Sequence, residues 1–255
     1  MGTDAIDPQT ICNVTIIGDP AQTARIRHRL SRGRTEIRWS ADGVEHTIRL
    51  AELSSHAPLA ELERFIRVAE GVIAVVPAAG GDAARLESIL RVADDYQVAR
   101  LCLVTGLDQP AADFDRCVRT IAGTRGAVPL PLHAPLGSGA GFDGVVDLVG
   151  MWALAPMAAE FFGSRWAFAE RRYRELVAAV LAQDPSAAAE FRGLREIPAA
   201  DLSDRIRRLT RIGEAAPILC DPAPSSDDIA PLLDAIVRYL PSPLHVCQPE
   251  HTLDY

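Results

Sequence analysis

Short apolar, β-branched runs alternate along this chain with segments of helical period, and that alternation constrains the fold more than any other feature. A strand buried on both faces needs a continuous apolar run, and the return to a parallel neighbour needs a crossover helix. Residues 13–18 (NVTIIG) read as a first buried strand, followed by an Arg-rich helix over 21–30. Residues 34–39 and 46–53 alternate apolar and polar around Ala41-Asp42-Gly43, which predicts a hairpin. Pro58 opens a helix to Ala69 with apolar residues at Leu59, Leu62, Phe65, Ile66 and Ala69, and Gly71 ends it. Residues 72–76 form the next strand, Asp82 caps a helix to Asp95, 101–105 is a strand and 114–122 a helix. The predicted class is α/β, with a doubly wound, mostly parallel sheet and helices on both faces.

The alternation then pauses. Residues 128–135 and 145–149 are extended around a Gly/Ser loop, and helices follow over 166–183 and 200–211. It resumes with a strand at 216–220 and a helix at 229–240. A sheet interrupted for about 90 residues and then completed implies an insertion. The loop 137–144 (GSGAGFDG) runs into an extended segment and not a helix, so it reads as a hairpin loop and not a dinucleotide-binding turn.

Composition excludes several chemistries. All 26 basic residues are arginine, so lysine Schiff bases, lysine bases and a phosphate-binding lysine are ruled out, and Asn13 is the sole asparagine. With 48% apolar and 24% charged residues the chain is globular. A net charge of −8 argues against a dedicated DNA binder. Cysteines 12, 102, 117, 220 and 247 form no C-x-x-C, which suits reduced thiols and no metal site. No apolar run reads as a signal or membrane span, so the chain is expected to be soluble and cytoplasmic. His133 reads as an ordinary loop residue, and no Ser/His/Asp or paired-carboxylate arrangement supplies catalytic residues.

LERFIRVAEGVIAVVPAAGG (62–81), ADDYQVARLCLV (93–104), ADFDRCVRTI (112–121), GFDGVVDLVGMWA (141–153), YRELVAAVLAQD (173–184) and PILCDPAPSSDDIAPLLDAIVRYLPSP (217–243) carry a resemblance. The chain resembles the GTPase domain of bacterial elongation factor G, a translational GTPase. The resemblance implies a P-loop-NTPase-like core over 1–124 and 214–243, an inserted α+β subdomain over 125–213 and a tail over 244–255. It ends at Pro243, so the chain reads as a free-standing domain without that family's later domains.

The nucleotide motifs depart from the family. A phosphate loop G-x-x-x-x-G-K-[ST] needs a second glycine for backbone approach, a lysine on the phosphates and a hydroxyl on Mg²⁺. Here the stretch reads Gly18-Asp19-Pro20-Ala21-Gln22-Thr23-Ala24-Arg25. Thr23 stands for the glycine, Ala24 for the lysine and Arg25 for the hydroxyl, while Asp19 adds a charge that opposes phosphate. The DTPGH segment aligns with Ala51-Glu52-Leu53-Ser54-Ser55, losing the metal aspartate and the water-orienting histidine, with His56 one residue late. The first switch region is replaced by the hairpin. NKxD becomes Thr105-Gly106-Leu107-Asp108, and the last base-contacting motif becomes Asp221-Pro222-Ala223.

Gly18, Asp19, Thr23, Ala24, Arg25, Thr105, Asp108 and Ala223 thus outline a vestigial nucleotide pocket with no catalytic and no metal-binding residue. The expectation is a pseudo-GTPase acting as a protein-binding module, with no required cofactor. The alternative is an atypical binder of GTP or GDP that uses Asp108 for the base and arginines for phosphate. Family analogy makes the inserted subdomain a surface for the acidic ribosomal stalk protein. Self-association is a further expectation. Arg25–Arg38, with six arginines against Glu36, could contact ribosomal RNA.

Overall fold

The computed structural model describes residues 8–124, 126–161, 163, 165–184, 191, 196–221 and 228–245. Strands β1 (Ile11–Gly18), β2 (Glu36–Ala41), β3 (Val44–Ser54), β4 (Gly71–Pro77), β5 (Ala99–Thr105), β6 (Val128–Pro131) and β9 (Ala215–Cys220) form one seven-stranded sheet. Its order is β2-β3-β1-β4-β5-β9-β6, and only the β2–β3 pair is antiparallel. Strands β7 (His133–Pro135) and β8 (Val145–Asp147) pair separately as an antiparallel hairpin. Among the described residues, the helices longer than one turn are α1 (Pro20–Ser31), α2 (Leu59–Arg67), α3 (Ala83–Asp95), α4 (Phe114–Ala122), α5 (Arg165–Ala182), α6 (Ala199–Arg211) and α7 (Ala230–Tyr239).

Period-two alternation along the strands sorts the core into two layers. Val14, Ile16, Leu101, Leu103 and Leu219 face Ile26 of α1, Ile206 of α6 and Ile236 of α7. On the opposite face, Ala74, Val76, Cys102, Val104 and Ile218 pack with Phe114, Cys117 and Ile121 of α4. Ile17, Leu53 and Val72 meet Leu62 and Ile66 of α2 and Ile89 and Val92 of α3. Each such fully buried aliphatic side chain contributes about 1.5–3 kcal/mol of transfer free energy. The continuous apolar runs in β4 and β5 follow from this arrangement, because every residue from Ala99 to Thr105 is buried on one face or the other.

The hairpin closes on Asp42 and Gly43, both with positive φ (51° and 79°), the turn whose twist matches two antiparallel strands. The stretch 128–135, expected as one extended segment, is two strands in different sheets. Pro129 and Pro131 have no N–H to give a further neighbour, which restricts β6 to the sheet edge. At Leu132 the chain changes partners: its N–H donates to Ile218 and its carbonyl accepts from Leu148. The segment 125–213 therefore contributes β6 to the main sheet, and α6 packs on β5 and β9.

Arg100 in β5 is almost wholly buried, with Nη2 2.8 Å from Asp94 Oδ1 and 3.5 Å from the Gly213 carbonyl. The Asp94 carboxylate lies against Gly126, where a Cβ would come within 1.9 Å of Oδ2. Removing one partner of a buried pair strands the other charge. Asp94→Ala is expected to destabilise the fold by roughly 3 kcal/mol, read as a lower urea midpoint with an unchanged slope. Asp94→Asn is expected to lose less, because its amide oxygen still accepts a hydrogen bond.

Candidate functional site

The turn after β1 is short. Helix α1 begins at Pro20, so Asp19 alone separates it from the last strand residue, Gly18. Asp19 is the N-cap: its Oδ1 accepts from the N–H of Ala21 (3.0 Å) and of Gln22 (3.4 Å). Its carbonyl accepts from the N–H of Gln22 and Thr23. Pro20 has no N–H, so every donor of the first turn is taken within the chain. Gly18 is required sterically, since a Cβ there would lie 2.8 Å from Val75 Cβ and 3.2 Å from Thr23 Cγ2. Thr23 is buried and its hydroxyl donates to the Pro20 carbonyl at 3.2 Å. Ala24 and Arg25 are exposed on α1. Ser55 N–H donates to the Gly18 carbonyl at 2.8 Å, which brings His56 beside the turn, with Nε2 3.7 Å from Asp19 Oδ2.

Thr105 is the last residue of β5 and Asp108 lies just beyond it, with β4 between them and β1. The Thr105 hydroxyl is buried without a hydrogen-bond partner, and so is Asp108 Oδ1, while Asp108 Oδ2 accepts from Gln109 Nε2 at 3.2 Å. Gly106 adopts φ +70°, a conformation a lysine would strain. The loop joining β7 to β8 covers this segment. Gly139 N–H donates to the Leu107 carbonyl at 2.8 Å, and Phe142 packs on the cluster that holds Leu107 and Phe114. Ala223 lies outside the described residues. Asp221, just before it, is buried and paired with Arg29 of α1, whose Nη1 is 2.9 Å from both carboxylate oxygens. The basic stretch 25–38 is accordingly less cationic than its sequence: Arg27 pairs with Glu52, Arg29 with Asp221 and Arg38 with Glu45.

Sequence reasoning did not find the cleft beside this turn. About 990 Å³ in volume, it opens between α3 and α4 at the carboxyl ends of β1 and β4. Gly18, Asp19 and Gln22 form one wall, Ser55–Pro58 another, and the 77–83 turn a third. Strand order reverses between β1 and β4, the position where open α/β sheets bind their ligands.

His133 is a strand residue in β7 and buried, not an ordinary loop residue. Its Nδ1 accepts from the Cys220 N–H at 3.1 Å, so the neutral ring carries its proton on Nε2. Burial pushes this imidazole below its usual pKa, opposed by Asp147 across the hairpin. The described cysteines are buried thiols: burial pushes Cys12 up to about 11 and Cys102 to about 12, and raises Cys117 and Cys220 as well. None of these is a thiolate nucleophile near neutral pH. Among the described residues no cluster could hold a metal ion, and no helix is long and apolar enough to cross a membrane.

A mostly parallel sheet of this order, with a turn-to-helix junction at its reversal, defines a mixed α/β fold of the P-loop GTPase kind. The chain belongs to the elongation factor Tu GTP binding domain family, whose profile matches residues 59–242. The match begins at the first residue of α2, so β1, α1, β2 and β3 lie outside it. The chain is 40% identical over 209 residues to Elongation factor G 2 of Streptomyces coelicolor, covering 79% of this chain and 30% of that protein. The crystal structure of a Thermus thermophilus protein shares the fold, with a TM-score of 0.71 at 18% identity, over 92% of this chain and 41% of that one. The chain spans less than half the length of either.

Two outcomes follow for this region. Asp19→Ala is expected to cost about 1 kcal/mol in a denaturant titration, the usual loss for an N-cap. His133 resists protonation in the fold but not in the unfolded chain, where its pKa is near 6.5. Its neutral burial is therefore fully compatible with folding above that value. Stability should fall as pH drops below about 6.5, by at most about 1.4 kcal/mol per unit. His133→Gln, which still accepts from Cys220, should flatten that dependence in thermal melts between pH 7.5 and 5.

Proposed function

We propose that this chain is a pseudo-GTPase, a G-domain fold kept as a protein-binding module in a translation-linked role in the cytoplasm. The observation that carries the reading is the start of α1 at Pro20. The residues that would form a phosphate cradle, Pro20 to Arg25, are already wound into helix, and the Asp19 carboxylate occupies the helix end where a phosphate would sit. A second anion there would meet Asp19 at short range, with Ala24 in place of a lysine. Ala51 and Arg25 offer no side-chain oxygen to Mg²⁺, and Ser55 stands in place of the family's water-orienting histidine. Phosphoryl transfer rests on positioning and charge stabilisation, and this set of residues supplies neither in the P-loop manner.

The family relationship supports a ribosome-linked partner, because the relative matched over most of this chain is an elongation factor. Within the proposed inserted subdomain, 125–213, Leu154 and Met157 are exposed apolar residues on a 3-10 segment, Met151–Met157. They are the proposed contact for that partner. Calorimetric titration with GDP and with GTP, each with and without Mg²⁺, is expected to show no binding tighter than about 10 μM, or about −7 kcal/mol. Tighter binding of either nucleotide overturns the reading in favour of an atypical guanine-nucleotide binder. Leu154→Asp with Met157→Asp is expected to abolish co-purification of ribosomal components from native lysate without lowering the melting temperature.

A further inference from the structure

We infer that the cleft between α3 and α4 binds a small organic anion, a carboxylate or phosphate ester carried on an apolar body. The cleft shares Gly18, Asp19 and Gln22 with the phosphate turn, while its guanidiniums come from α3 and α4, and the inference stands independently of any protein partner. Its volume, about 990 Å³, lies at the upper end of the range for small-molecule pockets. The floor is apolar, made by Ile17, Val75, Val76, Leu86 and Ile89. Such a floor with a few convergent polar groups is the usual composition of a ligand site.

The polar groups select for negative charge. Arg85 and Arg116 both line the cleft, and neither makes an ion pair with a carboxylate among the described residues. Arg85 Nε donates to the Ser55 carbonyl, and Arg116 Nη2 donates to the carbonyls of Ala78 (2.9 Å) and Ala111 (3.4 Å). A guanidinium has five N–H donors, so each retains several for a ligand, and its planar fork matches a carboxylate or phosphate. Each of the two acids in the lining sits at a helix N-terminus, whose N–H groups offset part of its charge. Asp19 caps α1, and Asp82 Oδ1 accepts from the Arg85 backbone N–H at 3.0 Å as the cap of α3. Main-chain acceptors thus hold both guanidiniums at the cleft without neutralising them.

Two further features point inward. Gln22 lines the cleft, and its shielded Oε1 has no hydrogen-bond partner among the described residues. At Gly80, φ is +113° and a Cβ would stand 3.8 Å from Arg116 Nη2, so a larger side chain would lie over the guanidinium. Glycine leaves that face open.

The probe is 8-anilinonaphthalene-1-sulfonate, one anionic group on an apolar body, followed by fluorescence titration of the intact chain. One saturable site is expected. Hexyl phosphate or hexanoate should displace the probe while hexanol should not, and the more effective of the two acids identifies the ligand's charged group. Arg85→Met with Arg116→Met should weaken binding at least tenfold, and Arg116→Lys should lose less than Arg116→Met. Thr120→Phe narrows the cleft and leaves both arginines in place, so it should weaken binding even if the double variant fails to fold. Unchanged affinity in Thr120→Phe, equal displacement by hexanol, or the absence of a saturable site would each overturn the inference.

Discussion

The carboxylate of Asp19 on the first turn of α1 is the interaction on which the carboxyl edge of the sheet depends. A helix start leaves N–H groups that must be satisfied by side chains, water or ligand. In this chain they are satisfied internally, by one side chain and one carbonyl of the same residue. Because the cap works at Asp19, the helix starts immediately after the strand and its first turn is closed. Thr23 is then drawn into the core against Gly18, and Ser55 can approach the Gly18 carbonyl. One short turn thereby sets the position of His56 and the shape of the cleft wall.

Charge pairing completes the edge in the same way. Arg29 on α1 reaches Asp221 at the end of β9, and Arg27 reaches Glu52 on β3. The first is half of a largely buried pair, whose principal consequence is to fix α1 relative to the last strand and not to add much net stability. The loop between β7 and β8 docks on Leu107 and shields the segment that follows β5. Glu52, Asp221 and Leu107 thus find their partners among the chain's own atoms. The proposed pseudo-GTPase reading and the anion cleft share that origin: arginines remain, but the acceptors nearest them are main-chain carbonyls.

Much of the fold was legible in the sequence because its signals are local. The strands at β1, β4, β5 and β9, the helix Phe114–Ala122, the Asp82 cap and the Asp42-Gly43 hairpin all follow from apolar period, capping chemistry and turn residues. The change of sheet at Leu132 was not, because it depends on partners at Ile218 and Leu148. His133 was misread for the same reason, since its partner, the Cys220 N–H, is 87 residues away. Of the candidate site, Gly18, Asp19 and Thr23 meet as a unit, whereas Ala24 and Arg25 are exposed and Asp108 lies beyond β5. The cleft had no sequence signature, because its lining comes from four separate stretches between Ile17 and Thr120.

By itself, then, the sequence determined the α/β class, the family resemblance and the absence of any lysine and of any asparagine but Asn13. Those are statements about which atoms exist, and no folding can supply a missing functional group. Tertiary structure alone decided where the remaining groups point. It turned Asp19 from a misplaced charge into a satisfied cap, neutralised half of the Arg25–Arg38 stretch through acids on β3 and at the end of β9, and left Arg85 and Arg116 lining a cleft without carboxylate partners among the described residues. The physical reason is distance. A side chain's charge is fixed by its chemistry, but its effect depends on what the fold brings within a few ångströms, as with Arg29 and Asp221, 192 residues apart.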